Sequence, residues 1–187
     1  MSAVIEGHHD DHHHGPAKGI TRWLYTTNHK DIGSLYLWFS FIMLFIGGAM
    51  AMVIRAELFE PGSQIVSPEF YNQMVTNHGL IMVFGVIMPA FVGLANWLIP
   101  MQIGAPDMAL PRLNNLSFWI LPAAFGVLLA TFFMEGGAPN FGWTFYAPLS
   151  TEYAPPTVTY FIFAVHIMGA SSITVSYTHL TLPTSHC

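Results

Sequence analysis

Long stretches without a single Asp, Glu, Lys or Arg constrain this chain more than any motif does. They run from Ile32 to Ile54, from Phe70 to Pro106, from Leu113 to Met134, and onward from Glu152. A helix rising about 1.5 Å per residue needs roughly 20 apolar residues to cross a hydrocarbon core of about 30 Å. The first three stretches are long enough. Only 8% of the residues are charged and 53% are hydrophobic, whereas about a quarter of an ordinary water-soluble domain is charged. The surface must therefore face lipid or protein. The predicted fold class is all-α, a polytopic transmembrane helix bundle held in a lipid bilayer.

Several classes are excluded at once. Met1 to Gly19 contains His, Asp, Gly and Pro where a secretory signal requires an apolar core. A formal net charge of −5 without a basic patch leaves no footprint for a nucleic acid. The single cysteine, Cys187, rules out a disulfide framework or a thiolate metal cluster within the chain.

Residues 1–31 read as a polar tail followed by an interfacial segment, in which Ile20, Trp23, Leu24 and Tyr25 suit the membrane surface. The tail's cluster from His8 to His14 has no fixed spacing to present ligands, so it reads as a polar terminus rather than a metal site. Spans are predicted at about 32–54, 70–99, 114–134 and 158–173. Gly47, Gly48 and Ala51 form a small face on the first, where another helix can approach closely. Pro89 lies inside the second. Pro100, Pro106 and Pro111 predict a compact loop from Met101 to Arg112, and Gly136 to Pro156, rich in Gly, Pro and aromatics, predicts an ordered non-helical loop. Lys18, Arg22, Lys30 and Arg112, four of the five basic residues, fall on one side of this alternating topology, which predicts a cytoplasmic N-terminus. Arg55, at the end of the first span, is the exception.

His78 lies about eight residues into the second span, hence about 12 Å below the outer interface. Such a buried imidazole is either a neutral side chain bonded to another helix or an axial haem ligand, since imidazole binds iron. His166, in the fourth span, has a similar look. Asp107 follows the second span, and Tyr36, Asn96, Asn114, Ser117, Ser171 and Ser172 can face the bundle interior. A carboxylate leading to amides and hydroxyls is what a file of waters carrying protons needs; the same residues also serve as interhelical glue. Glu57, Glu60 and Gly62 offer the oxygen ligands that hard cations take.

The runs TNHKDIGSLYLW (Thr27 to Trp38), IRAELFEPG (Ile54 to Gly62), NHGLIMVF (Asn77 to Phe84), NWLIPMQIGAPDMALPRLNNLSFW (Asn96 to Trp119), GWTFYAPLS (Gly142 to Ser150) and FAVHIMGASSI (Phe163 to Ile173) closely resemble subunit I of the cytochrome c oxidases in the haem-copper superfamily. The likeness covers about Thr21 to Ile173. It implies a multi-pass protein, most naturally of a bacterial cell membrane. The activity it implies is that of a proton-pumping terminal oxidase of the respiratory chain, which passes electrons from cytochrome c to oxygen and yields water. It implies a low-spin haem a on His78, with Arg55 at its formyl group and Trp143 near its propionates. A second haem and copper belong to the full-length protein. It further implies a proton path entering at Asp107 and continuing past Asn96, Asn114, Ser117, Tyr36, Ser171 and Ser172. A Na or Ca site is implied at Glu57, Glu60 and Gly62, whereas His166 gains no ligand role. The implied partners are subunits II and III, with cytochrome c docking through subunit II. A quinol oxidase subunit I is the alternative donor class; a non-catalytic membrane fragment is the alternative outside it. Relatives that oxidise quinol tend to replace the acid and Pro-Gly of the first loop, which this chain keeps.

Past Ile173 the resemblance fails. Residues 174–187 read TVSYTHLTLPTSHC, polar and broken by Pro183, so the fourth span is expected to be truncated and the tail to be non-native, such as adapter read-through. The remaining copper and haem ligands of the family lie in later spans, so the chain alone is expected to be inactive. Resequencing the locus tests the tail: the reading frame should diverge near Ile173, and a genuine stop after Cys187 would sink the idea.

Overall fold

The computed structural model describes residues 19–180; the His8 to His14 cluster and the last seven residues of the tail lie outside them. Among the described residues every regular element is helical, and four helices are long and apolar enough to cross a membrane.

Helix α1, Ile20–Leu24, is the predicted interfacial segment, and Arg22 ties it to the next element through Asp31 at 2.9 Å. Helix α2, His29–Glu57, starts where the Asn28 side chain accepts from the Lys30 amide at 2.8 Å, one of the amides a helix start leaves unpaired. Helix α3 runs Pro68–Ile103. Ser67 caps it by accepting from the Phe70 amide, and Pro68 occupies a first-turn position that needs no amide hydrogen. Gly104 ends α3 at φ 70°, a left-handed conformation that glycine adopts without steric cost. Helix α4, Pro111–Ala130, closes with a tighter turn at Thr131–Phe133, and α5 is Val158–Leu180.

Several bounds differ from the sequence reading: α2 and α3 begin earlier than predicted, and Pro111 and Arg112 belong to α4 rather than to the loop. The segment from Met101 to Ile103 belongs to helix α3 rather than to the loop, because Pro100 sits inside the helix and gives up only one amide there. Helix α5 likewise continues through Leu180, past the expected end at Ile173. Thr174 stays compatible with it by donating its hydroxyl to the Ala170 carbonyl at 2.7 Å, so its polarity is absorbed within the helix. The stretch between α4 and α5 is non-helical, as its Gly and Pro content predicts.

Helix α3 also carries a feature the sequence reading lacks. Ile81–Ile87 forms a π-helical stretch just before Pro89. Such widened turns arise where a ladder of backbone bonds is interrupted, and here the Ser40 hydroxyl of α2 donates to the Val86 carbonyl at 2.8 Å. A neighbouring helix thus satisfies a disturbed carbonyl that lipid cannot.

Helix α2 lies between α3 and α4, and α4 packs along α5. The core between them is Ile32, Tyr36, Met43, Leu80, Ile81, Phe118, Leu121, Phe125 and Leu128. Tyr36 meets the Phe118 ring edge-on at 5.1 Å between centroids. Outward, Trp38, Phe45 and Met52 are exposed, as a lipid-facing or partner-facing surface requires. Helices α2 and α3 come close at Gly33 and Gly93: a Cβ on Gly93 would lie 2.9 Å from the Gly33 carbonyl oxygen. Gly93→Val should therefore destabilise the bundle by about 1–3 kcal/mol through overpacking, read from unfolding in detergent. Gly126→Ala, where a Cβ meets nothing within 4 Å, should be neutral or stabilising.

Candidate functional site

One end of the helix pair α2–α3 is organised around His78. Its Nδ1 lies 2.9 Å from the Gly47 carbonyl oxygen. A carbonyl only accepts, so Nδ1 carries a hydrogen, and in the neutral imidazole the lone pair is then on Nε2. A backbone carbonyl fixes tautomer and ring orientation in this way for structural and for metal-binding imidazoles alike. Gly47 permits the contact: a Cβ there would lie 2.8 Å from Met82 Sδ and 3.2 Å from Ile81 Cγ2. Beside it a Cβ at Gly48 would meet nothing within 4 Å.

The loop between α4 and α5 is pinned over the same turn. Thr76 Oγ1 accepts from the Gly142 amide at 3.0 Å, and Asn77 Nδ2 donates to the Pro139 carbonyl at 3.2 Å. Between these ties Trp143 comes to rest on Gly79, its ring 3.4 Å from where a Cβ would stand. The indole is half-exposed, and it sits beside the turn that presents His78. Arg55 lies two turns beyond Gly47 on α2, exposed, with no hydrogen bond or ion pair among the described residues. An oriented imidazole, a flat aromatic beside it, an open glycine and a guanidinium without a partner among the described residues are compatible in chemistry with a haem edge.

The opposite half of the bundle holds a polar file. Asn114 Nδ2 donates to Asn96 Oδ1 at 2.6 Å, and the Ser117 hydroxyl donates to the Asn114 carbonyl at 2.6 Å. Ser117 Oγ is 2.8 Å from the Tyr36 hydroxyl, and Ser171 donates to the Ser117 carbonyl at 2.6 Å. Tyr36, Ser171 and Ser172 then line a cavity of about 20 Å³ among Phe84, Met88 and Leu121, room for about one water. Asn96, Asn114, Ser117 and Ser171 are buried. Asn114 Oδ1 is buried without a partner, an acceptor that a water in the file would satisfy.

Residues 31–183 match the family model described as cytochrome C and quinol oxidase polypeptide I. The chain is 43% identical over 171 residues to the cytochrome c oxidase subunit 1 of Corynebacterium diphtheriae, covering 89% of this chain and 30% of that protein. It is 48% identical over 145 residues to a probable cytochrome c oxidase subunit 1-alpha of Streptomyces avermitilis, covering 76% and 25%. With the haem-copper oxidase subunit I+III of Aeropyrum pernix it shares 48% identity over 139 residues, 74% of this chain and 17% of that one. The chain belongs to the oxidase polypeptide I family. It spans about a quarter to a third of the length of its bacterial relatives named here.

Within this oxidase polypeptide the structure joins the predicted residues unevenly. The six path residues from Asn96 to Ser172 converge, but Asp107 does not touch them. Its Oδ1 accepts from the Met108 amide at 2.8 Å and lies 3.2 Å from His29 Nδ1. His29 was missed by the sequence reading. The signal was its place on the face that carries Ile32, Gly33 and Tyr36, at helical spacing. Its Nε2 is buried without a partner.

The cation site is less well assembled. Glu57 accepts from the Gln64, Ile65 and Val66 amides at 2.8, 2.8 and 3.0 Å, so its carboxylate closes the loop after α2. A cleft of about 230 Å³ is lined by Glu57, Gly62, Ser63 and Tyr71, with Glu60 exposed outside that lining. Among the described residues no three His, Cys, Asp or Glu side chains converge on one point. His166 is exposed and bonds only to the Ile162 carbonyl of its own helix, at 2.8 Å.

The loop ties make a direct prediction. Thr76→Val removes the acceptor for the Gly142 amide, so hydrogen exchange at Gly142 should rise clearly while exchange in α4 stays unchanged. Equal exchange at Gly142 would show that the tie does not hold the loop.

Proposed function

We propose that this chain is part of the catalytic subunit of a proton-pumping terminal oxidase, which transfers electrons from cytochrome c to oxygen and forms water. The observation that carries the reading is His78, with Nδ1 committed to Gly47 and Nε2 left to bind iron. Bound there, a low-spin haem a supplies reversible one-electron transfer. Residues of this chain hold and tune it. The Gly47 carbonyl would orient the imidazole, Arg55 would bond the haem's formyl group, and Trp143 would lie on the propionate side.

Protons enter at Asp107, next to His29, and proceed along Asn96, Asn114, Ser117 and Tyr36 to the cavity at Ser171 and Ser172. Buried amides and hydroxyls act here as exchangeable donors and acceptors for water rather than as acids. The second haem and the copper are assigned to residues the chain does not contain, so it reduces no oxygen alone. Subunits II and III are the proposed partners, with cytochrome c docking on subunit II. The retained Glu57, Pro61 and Gly62 favour cytochrome c over quinol as donor. Lys18, Arg22, Lys30 and Arg112, four of the five basic residues, favour the cytoplasmic side of a bacterial cell membrane for the end of the bundle that carries Asp107, by the usual bias of basic residues. A Na or Ca ion at the Glu57 loop would share the carboxylate with the three amides bound there, using the remaining lone pair of Oε1.

In the full-length protein, His78→Leu should abolish the low-spin haem absorption while the other haem still loads. An unchanged low-spin spectrum would overturn the assignment. The purified chain alone should give no stable bis-histidine spectrum, because it supplies one axial ligand of the two.

A further inference from the structure

Arg112 stands on a wall shared by two cavities. One, of about 570 Å³, is lined by Leu110, Pro111, Leu113 and Leu116 besides the arginine, and Leu110 and Leu116 are exposed. The other, of about 460 Å³, is polar: Tyr25, Thr26, Thr27 and Asn115 line it with the same arginine. Both lie where the chain enters α2 and α4, the level at which the apolar spans give way to loops.

The charges at this level are otherwise accounted for. Arg22 is paired with Asp31, and Lys30 lies over the Trp97 ring. Arg112 has no hydrogen bond, ion pair or ring contact among the described residues. Asn115 adds a second unmet donor, since its Nδ2 is buried with no acceptor. A guanidinium prefers a partner that takes two parallel hydrogen bonds, which a phosphate diester offers. The apolar cavity beside it suits hydrocarbon, and the two requirements meet in one molecule.

We propose that Arg112 and Asn115 form a binding site for one anionic phospholipid. The phosphate faces Arg112 and the chamber of Thr26, Thr27 and Asn115, and an acyl chain lies along Leu110, Leu113 and Leu116. The site is independent of the oxidase reading, since it uses none of the residues assigned to haem or proton transfer. Tyr25, 81% exposed at the chamber's rim, sits at the depth where aromatic rings meet headgroups.

The test uses the full chain, exchanged into bilayer discs holding equal amounts of phosphatidylglycerol and phosphatidylcholine with identical acyl chains. Native mass spectrometry after release then counts retained lipid. One phosphatidylglycerol per chain should be retained with about fivefold preference, the ratio expected for one basic residue at a membrane surface. Arg112→Gln should bring the preference to parity, and Leu116→Trp, which fills the apolar cavity, should reduce retention of both lipids. Equal retention of the two lipids by the unaltered chain overturns the proposal, as does an unchanged preference in Arg112→Gln. Displacement by excess inorganic phosphate would assign Arg112 to a free anion and overturn the lipid. If Arg112→Gln does not fold, the headgroup preference of the unaltered chain decides.

Discussion

Everything in this bundle depends on how near the backbone of α2 can come to its neighbours. Gly33 faces Gly93 and Gly47 faces the turn of Met82, each with no room for a Cβ. In lipid there is little hydrophobic force between helices, so packing and hydrogen bonds between close surfaces must hold them together. The glycines create that closeness. Because α2 lies between α3 and α4, the same closeness brings its polar side chains within bonding distance on both sides. His29, Tyr36, Ser40 and the Gly47 carbonyl, spaced along one helix, reach Asp107, Ser117, Val86 and His78 in turn.

The two functional halves follow from this geometry by different physics. At His78 a single backbone carbonyl fixes the orientation of the imidazole. Along the polar file no single contact is decisive, and the proposed path rests on buried groups whose bonding capacity is not exhausted. Asn114 Oδ1 and His29 Nε2 remain unpartnered. Unmet capacity of this kind is costly in a low-dielectric interior, and it is also what water needs to enter. A fully satisfied row of the same residues would be only glue.

The spans were legible because an apolar, uncharged stretch as long as a bilayer is thick is stable in lipid and rarely so in water. The proline-rich and glycine-rich loops were legible through backbone stereochemistry. Helix ends were not, since Pro100 and Thr174 each find within the helix a way to be tolerated that no single position reveals. The π-helical stretch at Ile81–Ile87 was hidden for a related reason: it answers both to Pro89 and to a hydroxyl on another helix. His78 stood out by its depth, yet its partner, a carbonyl thirty-one positions away in the chain, did not. His29 hid at a helix start, where a polar residue attracts no notice. Nor could the position of Glu57 alone show that the amides of Gln64, Ile65 and Val66 close on its carboxylate.

The loop ties on α3 carry a consequence for the order of events as the chain is made. Gln73, Thr76 and Asn77 precede the loop they hold, and Thr157, at its far end, donates to the Gly137 carbonyl. The hydrogen bonds that hold this loop beside the histidine turn are thus made by residues synthesised before α5, and Phe161 of α5 then packs its ring on Phe141 and Phe145. In a longer relative, the wall on this side of the haem could close while the ribosome still holds the remaining spans, so that later helices arrive at a surface already shaped to receive the cofactor.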